Sequence, residues 1–151
     1  MKAYKRAPGS GGARPLLPAR CLTGDETMFT HIMIGSNDLE RSRNFYDATF
    51  GALGGRPGEM DARGRLIYVH EGGRLMITKP IDGKAATVAN GGTIGIAALS
   101  REHVLAWHDA GVMHGGTSIE SPPNERPNGA FVAYLRDPDG HKLSARSQPT
   151  K

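Results

Sequence analysis

Thr30-His31-Ile32-Met33-Ile34-Gly35, then Ser36-Asn37-Asp38-Leu39-Glu40-Arg41-Ser42-Arg43-Asn44-Phe45-Tyr46-Asp47-Ala48-Thr49-Phe50-Gly51, is the stretch whose reading decides the fold. From Thr30 to Ile34 the residues alternate. Ile32 and Ile34 share one face and His31 and Met33 the other, as in a strand buried differently on its two sides. Asn37 is placed to cap a helix, and Glu40 three residues later completes a capping-box pattern. Leu39, Tyr46 and Phe50 recur near helical spacing, and Gly51 suits the position just past a helix end. The prediction is a strand, a capped turn and a helix, with the isoleucines under the helix. The face bearing His31 is then free to line something else.

Working outward, residues 52–64 are punctuated by glycine and leave room for one short irregular strand. Strands are predicted over 65–70 and 74–78, joined by the turn Glu71-Gly72-Gly73. A Gly/Ala linker occupies about 81–91, and then the pattern restarts. A strand over 92–97 leads to a helix capped by Ser100 and running to Ala110, with Val104 and Trp107 as core contacts and Gly111 at its end. A short strand near 117–119 and a loop from Glu120 to Gly129 containing three prolines follow. Strands over 130–136 and 141–145 flank the turn Asp137-Pro138-Asp139-Gly140.

The restart is an internal repeat. Placing Thr93 on His31 is a shift of 62 residues. The same shift puts Ile94 on Ile32, Ile96 on Ile34, Glu102 on Glu40, and Trp107-His108-Asp109-Ala110 on Phe45-Tyr46-Asp47-Ala48, with no gap. Two tandem β-α-β-β-β units are the natural inference. Each unit is too small to bury its own sheet face well. An α+β fold is therefore expected, in which the units pair into a concave mixed sheet with the helices outside. The concave side would be lined by the faces opposite the isoleucines.

Opening-strand His31, Asn37-Asp38-Leu39-Glu40-Arg41-Ser42 with Phe45-Tyr46, and Arg136-Asp137-Pro138-Asp139-Gly140-His141-Lys142-Leu143 resemble the vicinal oxygen chelate superfamily. That superfamily includes glyoxalase I, bleomycin-resistance proteins and extradiol dioxygenases. Ser100-Arg101 at the second helix is similar to its short glyoxalase-like group. The match spans roughly Met28 to Arg146. Chemistry on this scaffold, the resemblance implies, uses a divalent metal held by the first and last strands of each unit. Carried over position by position, the first strand offers His31. The fourth strand offers Met76 or Thr78. Thr93 stands where histidine is common, and Ser144 where glutamate is common. One imidazole among hydroxyls and a thioether is a poor set for a hard divalent cation or for catalytic zinc. A degenerate metal site is expected and no cofactor; a bound divalent metal is the alternative, with His70 as a second imidazole.

His31 is thus a remnant ligand and the one candidate catalytic base, since an unperturbed imidazole titrates near neutral pH. Candidate ligand-binding residues are Met33, His70, Met76, Thr78, Thr93, Arg126, Phe131 and Ser144. Arg126 lies in the proline-stiffened loop, where it would meet an anionic ligand, and Phe131 could stack on a ligand or pack in the core. A groove of this mildly apolar character suits a small organic molecule. The alternative is a metal-dependent lyase, isomerase or dioxygenase. The resemblance also implies a homodimer. No Gly-x-Ser-x-Gly elbow and no phosphate loop are present.

The formal net charge of +4 does not point to nucleic acid. Residues 1–27 hold five basic and two acidic residues, whereas residues 28–151 hold 14 and 13, so the folded part is near neutral. The region 1–27 is expected to be a disordered or artefactual tail ahead of Met28, and 147–151 a short C-terminal tail. The single cysteine, Cys21, falls in the first tail, so no intrachain disulfide is possible. No apolar run approaches membrane-spanning length, and a cytoplasmic location is the default expectation.

Overall fold

Asp38 begins the first helix, and it shows how local chemistry selects this fold. In the computed structural model, which describes residues 29–149, Asp38 has extended backbone, and its carboxylate accepts from the amides of Glu40 and Arg41. The capping residue is therefore Asp38 and not Asn37. Asn37 is spent elsewhere: its side chain bridges Ala86 of the linker and Asp139 of the second unit. The predicted tail 1–27, with Cys21, lies outside the described residues.

The elements in chain order are β1 (Ile32–Gly35), α1 (Leu39–Ala52), β2 (Glu59–Met60), β3 (Leu66–His70), β4 (Gly73–Thr78), β5 (Ile94–Ala98), α2 (Arg101–Met113), β6 (Thr117–Ser118), β7 (Asn124–Glu125), β8 (Phe131–Arg136) and β9 (Lys142–Ser147). The first sheet has the order β1-β4-β3-β2, with β1 parallel to β4. The second has the order β5-β9-β8-β6, with β5 parallel to β9 and β7 added against β8. Two helices and two mixed sheets give an α+β fold of tandem β-α-β-β-β units, as expected. The strand β7 inside the proline-rich loop is the one element the sequence patterns do not signal.

Both helices run past the glycines expected to stop them. Gly51 lies inside α1, and the chain leaves the helix through Leu53 and Gly54, whose φ of 81° only glycine adopts readily. Gly111 lies inside α2 for a different reason. A Cβ there would stand 2.2 Å from Leu135 Cδ1 and 3.4 Å from both Phe45 Cε2 and Thr49 Cγ2. Gly111 is a close-approach position where α1, α2 and β8 meet.

One core serves both units. The inward residues of the first sheet (Leu66, Tyr68, Leu75, Ile77) and of the second (Ile96, Ala133, Leu135, Leu143, Ala145) join Phe45, Tyr46, Phe50, Val104 and Trp107 of the helices. Trp107 is fully buried, and truncating a side chain of this size typically costs about 3–5 kcal/mol. The units pair through this core and through side chains. Among the described residues no strand of one sheet is laddered to a strand of the other. Each sheet's second face points away from the core.

The Asp137-Pro138-Asp139-Gly140 turn fastens the second unit onto the first. Asp137 Oδ1 accepts from the amides of Asp139 and His141, which shapes the turn. Its Oδ2 accepts the Tyr46 hydroxyl at 2.6 Å. Asp139 accepts from the Asn37 amide, from Arg41 at 3.0 Å and from Ser42 at 3.2 Å. Burial alone would raise the Asp139 pKa, but the donors from Asn37 and Ser36 and the Arg41 charge outweigh it and hold the carboxyl below its ordinary range.

Candidate functional site

Strand alternation decides which side chains reach the faces turned away from the core. On the first sheet the register Met33–Met76–Ile67–Glu59 runs straight across all four strands. Ile32, Leu75 and Tyr68 form the adjacent row, with the opposite facing toward the core. Met33 and Met76 are therefore neighbours on the outer face, as the sequence suggested, with Thr78 two residues on from Met76. Met33 is 42% exposed, while Met76 is buried to 5%. A cleft of about 390 Å³ adjoins this face, walled by Ile67, Val69, Arg74, Glu59 and Arg56.

His31 sits one residue before β1 and is exposed. Its Nδ1 lies 3.0 Å from the Thr30 hydroxyl, and the ring has no further side-chain partner among the described residues. His70 is placed otherwise. It closes β3 on the core-facing side, its ring 5.9 Å from that of Phe50, and its Nε2–H donates to the Ala97 carbonyl at 2.9 Å. It walls a mainly apolar cleft of about 230 Å³ at the seam of the two units, together with Ile32, Tyr68, Leu75, Ile94 and Ile96. The structure thus sets His70 on the opposite sheet face from Met33 and Met76.

On the second sheet Phe131, Ala133 and Leu135 face the core, so Val132, Tyr134 and Arg136 face outward. Their β9 partners are Arg146, Ser144 and Lys142. Ser144 is half-buried on this outer face, and Thr93 is exposed just before β5. Phe131 is core: it is 5% exposed, and the Arg101 guanidinium lies 4.5 Å from its ring centre. Arg126 is half-buried and donates to the Tyr134 hydroxyl at 3.3 Å. Tyr134, which sequence reasoning passed over, is the centre of this face. The alternation of residues 131–136 carried that signal.

The two outer faces belong to different sheets, and among the described residues no strand of one sheet is paired with a strand of the other. Among the described residues no three His, Cys, Asp or Glu side chains come together to hold a metal ion. His31, Met76, Thr93 and Ser144 supply one imidazole, one thioether and two hydroxyls. That set does not fit a divalent cation, which needs carboxylates or several imidazoles to replace its hydration shell. Among the described residues no helix is long and apolar enough to cross a membrane.

Two buried phenols complete the electrostatics, and both are structural. Burial, reinforced by the Asp137 charge and hydrogen bond, pushes the Tyr46 hydroxyl well above its ordinary pKa. Burial and the hydrogen bond to Asp47 at 2.7 Å do the same for Tyr68. Both remain neutral donors across the physiological range.

The family model described as glyoxalase/bleomycin resistance protein/dioxygenase superfamily matches residues 28–144. A crystal structure of a glyoxalase/bleomycin resistance protein from Albidiferax ferrireducens T118 is 48% identical, with a TM-score of 0.77. The match covers 82% of this chain and 100% of that one. Lactoylglutathione lyase from Agrobacterium tumefaciens is 16% identical over 82% of this chain and 96% of that one, with a TM-score of 0.59. A genomically encoded fosfomycin resistance protein from Listeria monocytogenes is 15% identical over 82% and 94%, with a TM-score of 0.59. At 16% and 15% identity the likeness is one of fold. No curated protein sequence matches the chain.

Proposed function

The chain belongs to the glyoxalase/bleomycin resistance protein/dioxygenase superfamily, and we propose that it binds a small organic molecule against the outer faces of its sheets without a tightly held metal. The donor set carries this reading. At the positions where the resemblance places metal ligands stand His31, Met76, Thr93 and Ser144. His31 is left as a hydrogen-bonding contact and the one candidate base, with no second positioned acid or base beside it.

The same proposal includes a homodimer. Among the described residues the strands of the two sheets are not paired, and each outer face would serve as half of a groove. A second copy is the partner whose second sheet would complete the groove on the first sheet of its neighbour. The Met33–Met76–Ile67 strip then supplies an apolar wall, and Tyr134 with Ser144 the polar one.

Metal analysis of protein purified without added metal, alongside a ligand-observed NMR screen of small organic compounds, tests this reading. We expect far less than one metal per chain, and hits that weaken in His31→Ala and Met76→Ala proteins. About one tightly bound equivalent of divalent metal per chain would replace it with the metal-dependent lyase, isomerase or dioxygenase reading.

A further inference from the structure

On the outer face of the second sheet the charges do not balance. Lys142 lies 5.0 Å from the centre of the Tyr134 ring, but it is paired with Glu120. Arg136 turns back and spends one guanidinium nitrogen on the Gly140 carbonyl. Arg136 and Arg146 have no ion-pair partner among the described residues but are exposed, whereas Arg126 is half-buried. Its guanidinium carbon lies 5.6 Å from the same ring centre, and one of its nitrogens donates to the Tyr134 hydroxyl. Among the described residues no carboxylate lies within ion-pair distance of it.

A half-buried cation held over an aromatic ring, with a neutral hydroxyl as its hydrogen-bond partner, has lost water without gaining a counter-charge. Guanidinium carries five N–H donors in a planar fork. The bond to Tyr134 uses one, and the remainder match a carboxylate held in two parallel hydrogen bonds. Ser144, opposite Tyr134 in the register, stands beside the place such a group would take. The half-buried Tyr134 ring offers apolar surface for the rest of the molecule, Val132 beside it being buried.

We propose that the ligand is a small organic carboxylate and that Arg126 is the residue that recognises it. This rests on the small-molecule reading above and goes beyond it. Lys142 is already matched by Glu120, and Arg126 is the half-buried cation at Tyr134 without a carboxylate partner among the described residues, which suits a singly charged carboxylate.

The test uses the full chain and matched acid and methyl ester pairs: benzoate, phenylacetate and hexanoate, with phenylphosphonate as a further arm. Binding is measured by ligand-observed NMR at low and moderate salt. At least one acid is expected to bind about tenfold more tightly than its ester, with a preference that shrinks as salt rises. Arg126→Gln, checked for an unchanged melting temperature, is expected to abolish that preference and leave ester binding as it was. Arg126→Lys keeps part of it. Esters binding as well as acids, an acid preference that survives in R126Q, or phenylphosphonate binding more tightly than every acid would each overturn the proposal. The wild-type acid–ester comparison and its salt dependence decide the matter even if R126Q fails to fold. Binding by esters alone sinks the carboxylate class and leaves the small-molecule reading standing, whereas no binding by any compound sinks both.

Discussion

His141 donates its Nε2 hydrogen to the carbonyl oxygen of Gly35 at 2.8 Å, reaching from the β8–β9 turn of the second unit to the first strand of the first. The arrangement is repeated with the units exchanged. His70, at the end of β3, donates to the carbonyl of Ala97 in β5 at 2.9 Å. Gly35 and Ala97 are 62 residues apart, the period of the internal repeat. Strands β1 and β5 are the edges of their sheets, so each has carbonyls that no ladder claims. Each unit closes the other's open edge with an imidazole.

These two bonds are expected to hold the units together measurably. His70→Phe and His141→Phe should each lower the unfolding free energy by roughly 0.5–1.5 kcal/mol, the usual net worth of such a bond. Urea titration followed by circular dichroism reads the change. His141→Gln, which keeps a donor, should lose less than His141→Phe; equal losses in the two variants would show that ring packing matters and the bond does not.

Tyr46 and Asp137 form a second fastening. Tyr46→Phe removes the only donor to Asp137 Oδ2 among the described residues and leaves that oxygen buried, for about 1–3 kcal/mol. The wild-type protein also carries an alkaline limit. The folded-state pKa of Tyr46 is raised, so its contribution is fully present below the ordinary phenol value of about 10 and is lost as pH rises beyond it. Tyr46→Phe should flatten that alkaline decline in thermal stability, and an unchanged decline would remove Tyr46 from the account.

Two glycines on the two helices should respond to alanine with opposite signs. At Gly51 an added Cβ meets nothing within 4 Å and the position is helical, so Gly51→Ala is expected to stabilise by about 0.5–1 kcal/mol. At Gly111 the same atom runs into Leu135 and the α1 side chains, and Gly111→Ala should cost about 1–3 kcal/mol. Paired denaturation curves check both, and the same sign at the two sites would refute the close approach of α1, α2 and β8.

Asp139 should govern part of the acid response. Its folded-state pKa is lowered, so the stability it contributes is present above the unfolded carboxylate value of about 3.9 and drains away as pH falls through the lower folded value. Melting temperatures between neutral and strongly acidic pH should fall less steeply in Asp139→Asn than in the wild type, although the variant starts lower at neutral pH. Parallel curves would mean that other carboxylates carry the acid transition.

Most of the fold was legible along the chain because its signals are local. The alternation of Ile32 with Met33 and of Leu75 with Met76, the cap at Ser100 and the 62-residue repeat each survive in the structure. The glycines at 51 and 111 read as helix stops and are not. A stop glycine and a close-packed glycine are the same letter, and only the neighbouring element tells them apart. The candidate site was legible in half. Met33, Met76, Thr78 and Ser144 take the faces that alternation assigns. His70 and Phe131 turn to the core side instead, because parity along β3 and β8 places them with Tyr68 and Leu135.

By itself the sequence determined most of the strands and both helices, that there are two such units, and that one imidazole stands among neutral donors at the first-strand and last-strand positions. Those are matters of periodicity, capping and residue chemistry, each readable within a short window. Tertiary structure alone decided that the Asp137–Gly140 turn and the paired histidines join the units, that the two sheets share a core without sharing a ladder, and that Arg126 comes to rest against Tyr134 without a counter-charge. Each of these depends on groups distant in sequence meeting in space, and a hydrogen bond or an unmatched charge exists only once both neighbours are in place.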